Sequence, residues 1–136
     1  MVREIIRDTF FLSLPSREAT AEDRITAANL RDTLLHNRER CVGLAANMIG
    51  VNVRIIAFFD KGRDEVMINP VLLSFSGEYR TREGCLSLDG QRETKRFRKI
   101  KVKWTSMEGK LKMGTFTDYT AQIIQHEMDH LSGILI

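Results

Sequence analysis

"QHEMDH", residues 125–130, is the stretch whose reading decides the fold. It contains His-Glu-x-x-His. On a helix, residues four apart lie on one side, so His126 and His130 can share a divalent cation. Glu127 follows the first histidine, close enough to take a proton from an attacking water without being a ligand. The plainer alternative is two surface histidines beside a solvated glutamate. Against it, two of only three histidines in the chain fall at this spacing, with Glu127 in the matching slot.

Working outward, the helix is predicted to run from about Asp118 to Leu131. Thr117 or Asp118 can cap its start, and Gly133 stands where helices often end. At ~100° per residue, Ala121, Ile124, Met128 and Leu131 form one apolar stripe. Tyr119, Ile123, His126 and His130 point roughly the opposite way, with Glu127 at the edge. A second helix is predicted from Thr20 to about Asn37. Thr20 and Asp23 are spaced as a capping box, and Ala27, Leu30 and Leu34 follow at helical spacing. Between the two, "VRIIAFF" (53–59), "EVMIN" (65–69), "VLLSFSGEY" (71–79) and "KIKVKW" (99–104) read as strands. "MEGKLKM" (107–113) reads as a hairpin turning at Gly109. Early helix, several strands and final helix make an α+β fold, with antiparallel strands packed around the last helix.

The 136 residues fit one domain, 1–136, long enough to bury its own core. An apolar share of 43% and a charged share of 29% read as a soluble globular protein. "MVREIIRDTF" resembles neither a signal nor a transit peptide, and no apolar run is long enough to span a bilayer, so a cytoplasmic location is expected. Cys41 and Cys85 form no Cys-x-x-Cys and no disulfide framework. The net charge of +3 is mild but uneven. "RETKRFRKIKVK" (92–103) carries seven basic residues and one acid. It reads either as the solvated face of a strand or as a patch for weak RNA or ribosome contact.

A catalytic metal site needs a third protein ligand. In the pattern His-Glu-x-x-His-x-x-Gly-x-x-His, the last position here is Ile136, which cannot ligate. The third ligand is therefore expected upstream, among Cys85, Cys41, His36 and several acids. His36 lies among Asn37, Arg38 and Arg40 and is expected to be solvated. Cys85 lies in "REGCLSLDG", where Gly84 allows close backbone approach, and its thiolate is a strong ligand. A Cys with two His leaves a fourth position open.

Three stretches together resemble the peptide deformylase family: "CVGLAANMIG" (41–50), "EGCLS" (83–87) and "QHEMDH" (125–130), with "INP" at 68–70 also similar. The resemblance spans about residues 20 to 135. It implies one divalent metal on Cys85, His126 and His130, ferrous iron being usual and zinc or nickel frequent substitutes. It implies hydrolysis of the N-formyl group from the initiator methionine of nascent polypeptides, with an N-formyl-methionyl peptide as substrate. Glu127 would move the protons. The Leu86 N–H would help hold the oxyanion. Val42, Gly43 and Leu44 would line the peptide groove, and Arg92 matches an Arg that follows the second motif at this distance.

The chain departs from the family pattern at Cys41, where Gly is usual, at Asp89, where Pro is common, and at Met48, where a Gln is usual. Only six residues follow the third motif, where many relatives continue. The Gln donates a hydrogen bond to the formyl oxygen, and Met has no such donor. Loss of one oxyanion donor typically costs ~10²–10³ in rate. The substitution thus implies weak or altered deformylation. The alternative is a metal- and peptide-binding homologue without efficient turnover.

Overall fold

Residues 1–136 are described by a computed structural model. Its frame is one antiparallel sheet of five strands in the order β1-β2-β3-β4-β5. These are β1 Gly43–Ala45, β2 Ile55–Asp60, β3 Arg63–Cys85, β4 Leu88–Thr105 and β5 Leu111–Thr117. Three α-helices accompany them: a single turn α1 Thr9–Leu12, then α2 Arg24–His36 and α3 Asp118–Leu131. No helix is long and apolar enough to cross a membrane.

The two segments expected as separate strands around Pro70 are one strand, β3, of 23 residues. Proline has no N–H for the ladder and would normally end pairing. Here the register shifts between Ile68 and Val71, so Pro70 sits in a bulge. Asn69 takes the left-handed conformation there (φ 52°). Its side chain accepts from the Ala19 N–H at 2.8 Å and donates to the Ala19 carbonyl at 3.0 Å. β4 also starts eleven positions before the strand expected at Lys99. It pairs with β3 as far as Cys85↔Leu88, leaving Leu86 and Ser87 as the turn.

The start of α2 follows its sequence signal. Ala21–Asp23 form a 3-10 turn, and the Asp23 carboxylate accepts the Thr20 N–H at 2.8 Å. Arg17 holds the same carboxylate with two bonds of 3.0 Å. Ala27, Leu30 and Leu34 are fully buried. Burial of each leucine stabilises the fold by about 2 kcal/mol.

α3 spans the residues its periodicity predicts, but its surroundings differ. Neither Thr117 nor Asp118 caps it with a side chain, and Asp118 has a φ of 52°. Instead of one core face and one open face, α3 is enclosed nearly all round. Ala121, Ile124 and Leu131 are buried on one side, and Ile123, His126, Glu127 and His130 on the other. Met128, expected in the core stripe, is half-buried. Both β1 and β4 lie against α3. These strands carry the first motif and follow the second, so the three motifs meet on one helix.

Candidate metal centre and groove

The second half of α3 presents His126 and His130 with their Nε2 atoms 3.1 Å apart. Cys85, the last residue of β3, brings its Sγ to 3.4 Å from His130 Nε2. The three ligand atoms lie within 4.8 Å of one another. The Ser87 N–H points at the same sulfur from 3.4 Å. His126 Nδ1 lies 2.7 Å from Glu83 Oε1. That contact keeps a proton on Nδ1 and turns the Nε2 lone pair toward the other two donors. Two imidazole nitrogens and a thiol sulfur crowded this closely, with no polar group between them, fit a divalent cation. Burial lowers His130, and the charge on His126 lowers it further. Burial would lower His126 too, but Cys85 and Glu83 outweigh it and raise it.

Behind the ligands lies a buried ionic network. Burial would raise Glu83, but bonds from His126, Arg96 and Gln122 hold it down to about 2. Arg96 donates to both Glu83 oxygens, at 2.7 and 3.0 Å, and to Asp129 at 2.7 Å. Gln122 adds a bond of 2.9 Å. Asn47 Nδ2 donates to the His130 carbonyl at 3.0 Å, tying the first motif to the end of α3. Sequence reasoning gave no role to Glu83, Arg96, Gln122, Asn47 or Asp129. Glu83, Asn47 and Asp129 lie inside the quoted motifs, which is a usable signal. Arg96 was concealed in a basic run, and nothing local marks Gln122.

Glu127 is 4% exposed, and its Oε1 has no hydrogen-bond partner. Burial pushes its carboxyl up to about 7. Gly43 makes room for it: a Cβ there would stand 2.8 Å from Glu127 Oε2 and 3.0 Å from Ile123 Cγ2. A cavity of about 740 Å³ opens over these groups. Its walls include Cys41, Val42 and Gly43 from the first motif and Cys85 and Leu86 from the second. Tyr119, Gln122, Ile123, His126 and Glu127 of α3 complete that side. Arg7 braces the turn of the second motif, donating to the Leu86 carbonyl at 3.1 Å and to Asp89 at 2.6 Å.

Three expected site residues stand elsewhere. Leu44 and Met48 are buried in the core and do not line the cavity. The Met48 sulfur accepts the Ala45 N–H at 3.4 Å. Arg92 lies outside the cavity and donates to the Asp89 carbonyl at 3.2 Å, three residues back. His36 is exposed, as expected. Cys41 is a wall residue whose thiol is pushed up to about 11 by burial and by the nearby Glu127. Both cysteines are free.

The basic run 92–103 is also not one patch. Besides Arg92, Lys95 approaches Glu78 at 3.7 Å, Arg96 is buried, and Arg98 lies 4.5 Å over the Tyr79 ring. Lys99, Lys101 and Lys103 are left.

The profile of the polypeptide deformylase family matches residues 12–136. The chain belongs to that family. It is 48% identical over 136 residues to a peptide deformylase of Clostridium beijerinckii, covering the whole of both chains. It is 34% identical over 134 residues to a peptide deformylase of Desulfitobacterium hafniense, covering 97% of this chain and 85% of that one. Among solved structures, the peptide deformylase of Thermotoga maritima superposes with a TM-score of 0.89 at 28% identity, covering 99% of this chain and 95% of that one. A class I type b peptide deformylase of Acinetobacter baumannii with Met-Ala-Ser bound gives a TM-score of 0.88 at 28% identity, covering 99% and 97%. The α+β fold and the assignment as a metal-dependent hydrolase of the deformylase family follow from these matches.

Proposed function

We propose that the chain, acting as a single domain over 1–136, removes the formyl group from N-formyl-methionyl peptides in the cytoplasm. One divalent cation would be held by Cys85, His126 and His130, with ferrous iron the native metal and zinc or nickel able to replace it. When bound, such a cation supplies Lewis acidity that polarises the formyl oxygen and acidifies water. The observation that carries this reading is the convergence of the Cys85 sulfur and the two Nε2 atoms beside the unpartnered Glu127 oxygen at the cavity.

The chain's own residues divide the remaining work. Glu127, poised near neutrality by burial, accepts a proton from the attacking water and returns it to the departing amine. The Leu86 N–H donates to the developing oxyanion, in a turn that Arg7 braces through the Leu86 carbonyl. Val42 and Gly43 line the groove beside the peptide backbone. Met48 offers no donor, so the expected rate is lower than with Gln there.

The second reading, metal and peptide binding without efficient turnover, is favoured by one observation. The Met48 side chain is 1% exposed, with its sulfur engaged by the Ala45 N–H and turned away from the cavity. Formate release from a formyl-Met peptide separates the two. Iron-loaded protein is expected to release formate catalytically, and Glu127→Ala to bind the metal without turnover. A wild-type rate equal to that of Glu127→Ala supports the second reading.

A further inference from the structure

Lys99, Lys101 and Lys103 stand on one face of β4, because alternate residues of a strand point the same way. The intervening Ile100, Val102 and Trp104 are buried in the core. Arg96, on that inner side, reaches Asp129 of α3, so α3 and the groove lie behind the sheet as seen from the lysines. Each lysine is the centre of a cross-strand row. The rows read Ser76–Lys99–Thr117, Ser74–Lys101–Thr115 and Val71–Lys103–Met113.

No carboxylate occupies any of these rows, and none of the three lysines forms an ion pair, unlike Lys95 with Glu78 and Arg80 with Glu93 farther along the hairpin. Lys99 and Lys101 are exposed and Lys103 half-exposed. Two residues along a strand advance about 6.8 Å, so the ladder holds three positive charges over about 14 Å. Like charges in file oppose one another, and an anionic partner would relieve that repulsion. Four hydroxyls flank two of the lysines and can donate to phosphate oxygens or exchange hydrogen bonds with 2′-hydroxyls. The three rows hold no aromatic ring, and the exposed Phe75 between Ser74 and Ser76 is already packed on Phe97 at 4.4 Å.

We infer that this outer face of β3, β4 and β5 binds the backbone of a folded RNA. The contact pairs the lysines with phosphates and the Ser and Thr hydroxyls with 2′-hydroxyls, is independent of sequence, and leaves the groove on the far side of the sheet open. It does not rest on the deformylase reading.

The test uses the metal-loaded full chain and a fluorescent RNA hairpin, read by anisotropy at low salt. Affinity is expected to fall with salt at a log–log slope of about −2 to −3, the value for about three phosphate contacts. The combined Lys99→Gln, Lys101→Gln and Lys103→Gln variant is expected to bind about tenfold more weakly or worse, with an unchanged circular dichroism spectrum. Its rate on a soluble formyl-Met peptide should equal wild type, which keeps failure here distinct from failure of the deformylase reading. A control with the same charge change elsewhere, Arg3→Gln with Arg24→Gln and Arg63→Gln, should retain binding. Equal loss in that control, or no loss in the lysine variant, overturns the inference. So does equal affinity for the matching DNA hairpin. Lysine-dependent binding to phosphatidylglycerol vesicles without hairpin binding would make the face a membrane contact. A lysine-dependent dimer without hairpin binding would make it a subunit interface. Either result overturns the RNA assignment.

Discussion

His126 Nδ1 and Glu83 Oε1 lie 2.7 Å apart, both side chains buried, and that contact fixes which nitrogen of His126 faces the other candidate ligands. Glu83→Gln keeps the shape but removes the charge that orients and strengthens the imidazole. Metal affinity is expected to fall about 10–100-fold, measured by competition with a chelator of known affinity. The same change leaves Arg96 with Asp129 as its one carboxylate partner, so the metal-free variant should also melt lower. Unchanged affinity would separate Glu83 from the ligand set.

Cys85→Ala removes the sulfur from the donor set and should abolish stoichiometric binding. Metal analysis should find one ion per chain in wild type and far less in the variant. Metal excess should raise the melting temperature of wild type, by the equivalent of about 4 kcal/mol at a thousandfold excess over Kd, and hardly move the variant. If Cys85 holds the metal as proposed, a Cys41–Cys85 cross-link should be absent from the loaded protein when it is alkylated without reductant. Full occupancy in Cys85→Ala would exclude it as a ligand.

How much of this could be read in the chain depended on how local each cause was. α3 was legible to its end residues because its periodicity, its motif and Gly133 agree within a few positions. The grouping of Cys85 with His126 and His130 was legible because each sits inside a short motif. The long β3–β4 hairpin was not, because Pro70 and Gly84 are ordinary breakers, and only the bulge and the partner strand absorb them. Arg96 looked like one more solvated base, since its burial depends on Glu83 and Asp129, 13 and 33 positions away. Leu44 was assigned to the groove with its motif, yet its side chain points into the core, where strand alternation sends it.

Asp23 gives a pH dependence away from the metal centre. The Arg17 guanidinium beside it, with the Thr20 N–H, holds its carboxyl below the ordinary value of 3.8. A depressed carboxylate stabilises the fold above its unfolded pKa, and that contribution is lost as pH falls through the folded pKa. Asp23→Asn should therefore cost about 1–2 kcal/mol at pH 7. The difference from wild type should shrink below about pH 3.8 as Asp23 itself protonates. Melting curves of both proteins at neutral and acid pH measure this. A difference that does not change with pH would assign the effect to packing instead of charge.

Met48 is where an oxyanion donor can be added. Its sulfur accepts the Ala45 N–H at 3.4 Å, in a buried turn. A Gln there puts Cδ where the sulfur is, so its Oε1 can take over the Ala45 N–H and its Nε2 remains as an added donor. Met48→Gln should raise formate release from a formyl-Met peptide by up to ~10²-fold, mostly in kcat, because the added bond strengthens in the transition state. Glu127→Ala in that background should erase the gain and leave the metal bound, since Glu127 moves protons and is not a ligand. If Met48→Gln changes nothing while metal stays bound, the missing donor is not the limiting defect. Attention then moves to Cys41, a cavity-wall residue two positions before the Gly43 that approaches Glu127. Recovery confined to Cys41→Gly combined with Met48→Gln would assign the defect to groove shape. No recovery in either variant would mean that the substrate is not a formyl peptide or that the site binds without turnover.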